Sequence, residues 1–317
     1  MSDGEVVERF LTFIPIESHT GEALAMTVLK FLNKCDIDIK NLRGQSYDNA
    51  ANMSGCYNGL QAHICQINPL AHYIPCAAHS LNLVGVSAAE SCVNAISFFG
   101  LIQKLFNFFS ASTLRWAVMS ECLENEAGST LVLKRVTGTR WCERADATKA
   151  LSHGYSSFQK ALSVIAGDVK QKPETIHDAK CLLQDLSKKE TAVMSVFWAV
   201  ILERIDAGSK SLQKETIELK AAVNLLKSLS DFVTSQRYLF DEYEGKANEK
   251  VEAQYSDECN RLRKRKQHHD DGDAEEVVLL GKDKFRIETY LPILDRLSAE
   301  LNRRVQAYDK IQSLFGF

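Results

Sequence analysis

From Trp141 onward the β-strand pattern largely disappears, and three apolar stripes at helical spacing take its place. Val193, Phe197, Val200, Ile201 and Ile205 recur at steps of mostly three and four. So do Leu219, Val223, Leu226, Leu229 and Val233, and again Leu294, Leu297, Leu301, Val305 and Tyr308. Residues three and four apart share one face of an α-helix, so each set forms a stripe that must be buried against another element. Successive stripes without intervening strands predict an all-helical domain over residues 151–317.

The first half reads differently. Val6–Ile16 is rich in Val, Phe and Ile up to Pro15, which predicts a strand. Thr20 is placed to cap a helix with Glu22 in its first turn and Leu24, Val28, Phe31 and Leu32 on one face. Ile37, Ile39 and Leu42 alternate with polar residues, as a second strand leading to Tyr47-Asp48-Asn49 would. A short helix is expected from near Asn58 to Ile67, a third strand over Ala71–Cys76, and a long helix from His79 to Ser110 broken near Gly100. Strand–helix alternation of this kind predicts an α/β layer with parallel strands over residues 1–150.

Bulk composition decides little about function. The 317 residues are 45% hydrophobic and 25% charged with a net charge of −3, so any contact with nucleic acid has to come from a local patch. One such patch is Arg261-Leu262-Arg263-Lys264-Arg265-Lys266, followed by an acidic run from Asp270 to Glu276. It reads either as a solvated loop, with residues 246–276 partly unordered, or as a nuclear-import or phosphate-contacting patch. The nine cysteines form no paired framework, which predicts a reduced, intracellular chain. The N-terminal residues carry no secretory pattern, and no stretch approaches the roughly 18 apolar residues of a membrane span.

Three polar segments carry the candidate chemistry. Asp48 lies at the expected end of a strand, where sites form in open α/β sheets, although a turn or capping role is as natural for a lone Asp. Cys76 and His79 form a Cys-x-x-His pair 28 residues on. Cys56, His63, Cys65 and His72 lie upstream but follow no finger spacing, so a His packed at a helix start is favoured over zinc. Arg140-Trp141 suits a phosphate contact with base stacking, and equally a packing anchor at a domain junction.

Taken together, Tyr47-Asp48-Asn49-Ala50-Ala51-Asn52-Met53-Ser54-Gly55, then Asn68-Pro69-Leu70-Ala71, then Cys76-Ala77-Ala78-His79-Ser80-Leu81-Asn82-Leu83, then Thr139-Arg140-Trp141, resemble the hAT transposases. The nearest resemblance is to the branch with a DUF4371-type core found with MYM-type zinc fingers. Residues 3–160 carry most of it, and Tyr290-Leu291-Pro292-Ile293-Leu294-Asp295 with Glu300-Leu301-Asn302 adds to it. The resemblance implies an RNase H-like core with a helical insertion domain. It also implies three metal-binding acids that use Mg²⁺ or Mn²⁺ in the intact family, the second of them at Asp48.

In the family the first acid stands in an Asp-Glu-Thr-Thr-Asp segment and the third in a Ser-x-x-Glu-Arg segment. Neither segment occurs here, so the chain reads as cut at both ends. The expectation is therefore a partial RNase H-like core over residues 1–150, an incomplete metal site at Asp48, no tightly bound cofactor and no DNA cleavage by this chain alone. Cys76 and His79 map to the family's Cys-x-x-His motif, and Arg140 and Trp141 to its DNA-handling Arg-Trp motif. Nuclear location is expected, otherwise cytoplasmic. DNA, protein partners or further copies of the chain through the helical region are the expected partners, and a membrane is not. The competing expectation is a protein-interaction or transcription-associated module with no DNA chemistry.

Overall fold

In a computed structural model the described residues are 10–127, 133–136, 141–214, 217–257 and 279–315. They divide into two compact units, Met1–Ser80 and Leu81–Phe317. The division falls well before residue 150 because α5 and α6, introduced below, bury their apolar faces against helices of the second unit.

The first unit is a small strand–helix assembly. Helix α1 (Gly21–Lys34) starts at Thr20, whose Oγ1 accepts the Ala23 N–H at 3.3 Å, as the sequence predicts. Strand β1 (Gly44–Tyr47) is followed by α2 (Ala51–Ser54), α3 (Leu60–Ile67) and strand β2 (His72–Pro75). The two strands pair in parallel, with Gly44 opposite His72 and Tyr47 opposite Pro75. A parallel pair needs a crossover, and α2 with α3 supplies it. Ala25, Leu60, Ile64 and Ala71 form the buried centre, with Leu24, Val28, Ile39, Leu42, Tyr47 and Met53 packed around it. Backbones approach closely here. A Cβ on Gly21 would sit 2.2 Å from the Asn58 carbonyl oxygen, so α1 can lie against the start of α3 only without a side chain at that position.

Of the three strands expected from the sequence, the second starts later than expected, and the first, over Val6–Ile16, is not seen in its described part, residues 6–9 lying outside the described residues. Residues 10–19 form no strand, and Phe10, Leu11, Phe13, Ile14 and Ile16 are exposed. Strand pattern alone does not make a strand; a backbone ladder does, and no partner backbone pairs with these residues among those described. Over Ile39–Asn41 the chain takes a single 3-10 turn, because the Asp38 carboxylate accepts the Lys40 N–H at 2.9 Å and closes the turn locally. The strand begins only at Gly44. Among the described residues the sheet has two strands rather than three, and the fold is mostly helical with a small α/β part.

Helix α4 (Ala77–Ala89) follows β2 directly and runs into the second unit, where α5 (Val93–Ser110) and α6 (Thr113–Ala127) come next. The break falls at Glu90–Cys92, not at Gly100. Ser91 Oγ donates to the Ala88 carbonyl at 2.7 Å and ends α4, whereas Gly100 sits exposed within a continuous α5. The remaining helices are α7 (Trp141–His153), α8 (Tyr155–Gly167), α9 (Pro173–Leu186), α10 (Lys189–Leu212), α11 (Leu219–Ser235), α12 (Phe240–Asn248), α13 (Gly281–Phe285) and α14 (Leu291–Phe315). No single helix among the described residues is long and apolar enough to cross a membrane.

Most of the three predicted stripes lies in the core of this unit, although Val200, Leu219 and Val305 are only half-buried. Val193, Phe197, Ile201 and Ile205 are buried on α10, Val223, Leu226, Leu229 and Val233 on α11, and Leu294, Leu297, Leu301 and Tyr308 on α14. Helix α10 is central and packs on α7, α11 and α12. Phe197 lies 4.9 Å from Tyr290 and 5.7 Å from Tyr243 between ring centroids, and Phe240 lies 5.0 Å from Tyr290. A π-helical turn, Arg286–Tyr290, joins α13 to α14. Pro292 has no N–H to continue an α-helical ladder and its ring crowds the carbonyl four residues back; widening the preceding turn accommodates both.

Candidate functional site

The C-terminal ends of two neighbouring parallel strands bring the first two candidate segments together. Register places Asp48 beside Cys76, and the Cys76 N–H donates to the Tyr47 carbonyl at 2.9 Å, extending the ladder one step past the strands. Asp48 then turns the chain: its Oδ1 accepts the Ala50 N–H at 3.1 Å, the local Asx bond that lets an Asp end a strand and open a helix. On the other strand Cys76 leads into α4, its carbonyl accepting the Ser80 N–H at 2.9 Å, and His79 stands half-buried in the first turn. The segments are tied by side chains as well. Asn49 Nδ2 donates to Ser80 Oγ at 3.0 Å, and the Tyr73 hydroxyl reaches the Asp48 carbonyl at 3.5 Å. Burial pushes the Tyr73 phenol above its usual range, the Ser54 hydroxyl opposes that shift, and the Asp48 charge adds to it.

These strand ends do not fit a two-metal centre. Such a centre needs several carboxylates converging within a few ångströms. Asp48 is exposed and has one oxygen engaged in its own turn, and beside it stand Cys76, the Tyr73 phenol and the Asn49–Ser80 pair, none of them a carboxylate. Among the described residues no three His, Cys, Asp or Glu side chains converge. Cys65, one of the upstream candidates for zinc, is taken into the first unit's polar interior, with its Sγ 3.3 Å from the Ala71 carbonyl and 3.2 Å from Gln45 Nε2.

Several residues of the quoted motifs hold the backbone in place. Asn68, of Asn68-Pro69-Leu70-Ala71, is buried. Its Nδ2 donates to the carbonyls of Ile39 and Leu42, both at 2.8 Å, while its Oδ1 accepts the Leu70 N–H at 3.0 Å. Gln45 Nε2 reaches the carbonyls of Ala71 at 2.9 Å and Gln61 at 3.2 Å, joining β1 to α3 and to the approach of β2. Asn52 Nδ2 donates to the His19 carbonyl at 2.9 Å and fixes the lead into α1. Sequence reading assigned no role to Gln45, Asn52 or Asn68. An Asn before Pro is a turn signal that could have marked Asn68, but nothing in the sequence names the carbonyls it serves.

The third candidate segment is only partly visible. Arg140 lies outside the described residues, and Trp141 is placed only as the first residue of α7. One turn on, Arg144 is half-buried with its guanidinium 5.0 Å from the Phe99 ring centre; burial lowers its proton affinity and the Glu90 charge raises it. Arg261, Arg263, Lys264, Arg265 and Lys266, with most of the charged segment around them, also lie outside the described residues.

Residues 1–59 match a protein family described as DUF4371: ZMYM1/FAM200, RNase-like domain. The match takes in α1, β1, the Asp48 turn and α2, and ends before β2. No solved structure matches the chain.

Proposed function

We propose that this chain derives from a hAT-type DNA transposase, contacts DNA in the nucleus, and does not by itself cut DNA. The observation carrying this reading is that the RNase-like family match covers the strand whose end presents Asp48. Residues 1–59 speak for an RNase-like ancestry, and the later motifs from Cys76 to Trp141 extend the resemblance beyond them. Two-metal chemistry has no donor set around Asp48 among the described residues, so the catalytic half of the ancestral activity is not assigned to this chain. DNA contact is assigned to Arg140, with its guanidinium on phosphate, and to Trp141, with its indole on a base. The basic run from Arg261 to Lys266 supplies further phosphate contacts and suits nuclear import.

Fluorescence anisotropy with labelled duplex and single-stranded DNA tests this reading. Trp141→Ala is expected to weaken binding by about 1–3 kcal/mol. Replacing Arg261, Arg263, Lys264, Arg265 and Lys266 with Gln is expected to flatten the dependence of affinity on salt. DNA affinity that neither change alters would remove these residues from the contact, and no affinity for either DNA would remove DNA from the reading. The second reading, a protein-interaction module, is favoured by the predominance of helix in the chain. Partner binding by a full chain without DNA affinity would establish it in place of the first.

A further inference from the structure

The lead into α1 exposes apolar side chains that its own unit does not cover. Residues 10–16 run without helix, turn or bend, and no backbone–backbone hydrogen bond ties them to another described residue. Phe10 is 74% and Phe13 89% exposed, with ring centroids 5.0 Å apart, so the two rings form one aromatic knob in water. Beside the knob lies a groove of about 800 Å³. One wall is the lead, with Leu11, Ile14 and Glu17, and the other belongs to α1, with Met26, Lys30 and Lys34. Leu24, Ala25 and Val28 of the same helix pack into the unit's buried centre.

Exposed apolar side chains this dense mark an interaction surface. With Leu11, Ile14, Ile16 and Met26 the two rings expose roughly 700 Å², close to the roughly 800 Å² that each partner gives to a standard protein interface. The patch is also self-complementary. It holds a projecting pair of rings and a groove, and its walls carry opposite charge, Glu17 on the lead and Lys30 and Lys34 on the helix. We propose that two copies of this chain join through this face about a two-fold axis, the Phe10–Phe13 pair of each entering the groove of the other. Such an interface makes every contact twice, so Glu17 of each copy meets the partner subunit's Lys30 and Lys34. Removing the rings from water drives the association, and the charges fix its direction. Neither the strand-end residues nor the DNA reading enters this proposal.

Analytical ultracentrifugation of the full chain over a range of concentrations tests it. A reversible step from monomer to dimer is expected, with nothing larger. Phe10→Asp with Phe13→Asp is expected to weaken dimerisation by about a hundredfold or more, because two central aromatic anchors are lost. Circular dichroism is expected to stay unchanged, since both side chains lie outside the core. Val169→Asp, at an exposed valine of the second unit, is expected to leave the dimer intact. Glu17→Lys alone, and Lys30→Glu with Lys34→Glu, are each expected to weaken it by about tenfold through like-charge contact. Mixing these two variants is expected to restore it, because only the mixed pair has opposite charges at both contacts. A monomer at every concentration, growth beyond the dimer, a dimer that survives the double Phe change, or no rescue on mixing would overturn the proposal. So would a dimer that forms only after residues 1–9 are removed, or a monomer that holds a different protein through Phe10 and Phe13, since either result names another occupant.

Discussion

Asn68 shows how one buried side chain can hold two distant stretches of chain. It meets the carbonyls of the 3-10 turn before β1 and, through its own turn, shapes the approach to β2. Asn68→Ala would remove one donor from each of two part-buried carbonyls, which keep the Leu42 N–H and the Arg43 guanidinium, and would remove the acceptor of the Leu70 N–H. We expect a loss of about 1–2 kcal/mol, read as a lower urea midpoint for the first unit. An effect under about 0.5 kcal/mol would mean that water replaces the amide freely. The sequence made Asn68 visible as part of a motif but not as a structural residue. A turn signal describes the local chain, whereas the carbonyls it serves lie 26 and 29 residues away. Asp48 was legible for the opposite reason: ending a strand and opening a helix is a local property, and its Asx bond is local too.

Among elements, helices were easier to foresee than strands. The helices α10, α11 and α14 each satisfy their own backbone hydrogen bonds, so periodicity alone locates them and names most of their buried residues, missing at Val200, Leu219 and Val305, which are half-buried. The segment through Phe13 has the composition of a strand but no ladder partner among the described residues, and a pattern read along one chain cannot supply one. The helix break shows the same limit: Gly100 was the natural suspect by propensity, yet the helix ends at Ala89, where the Ser91 hydroxyl bonds the Ala88 carbonyl.

The aromatic centre joining α10, α12 and the π-helical turn carries a pH prediction. Burial pushes the Tyr243 phenol up to about 12, and raises Tyr290 and Tyr155 as well. An unfolded tyrosine ionises near pH 10. Below that both states are protonated and stability does not depend on these groups. Above it the unfolded chain releases protons that the folded chain retains, so stability falls as pH rises. Denaturant midpoints should hold steady up to about pH 10 and drop between about 10 and 12, and Tyr243→Phe should make the drop shallower. A flat profile across that window would show that these phenols titrate as they do in the unfolded chain.

At the scale of the whole molecule, the two units differ in how much apolar surface each encloses. The first has Ala25, Leu60, Ile64 and Ala71 at its centre, whereas α10 alone buries Val193, Met194, Phe197, Trp198, Ile201, Leu202 and Ile205. Opening free energy follows enclosed apolar contacts, so amides of β1 and β2 should exchange with deuterium well before those of α10. Equal protection would contradict this ranking.

The strand ends with Asp48 and Cys76 belong to the first unit, and among the described residues no three His, Cys, Asp or Glu side chains converge there. The direct test is incubation of purified chain with Mg²⁺ or Mn²⁺ and transposon-end or supercoiled DNA, with Asp48→Asn alongside. We expect no nicking or joining above the level of the Asp48→Asn variant with either ion. Metal-dependent cleavage by the wild type that Asp48→Asn abolishes would show that this chain assembles a working site around Asp48, and would contradict the account.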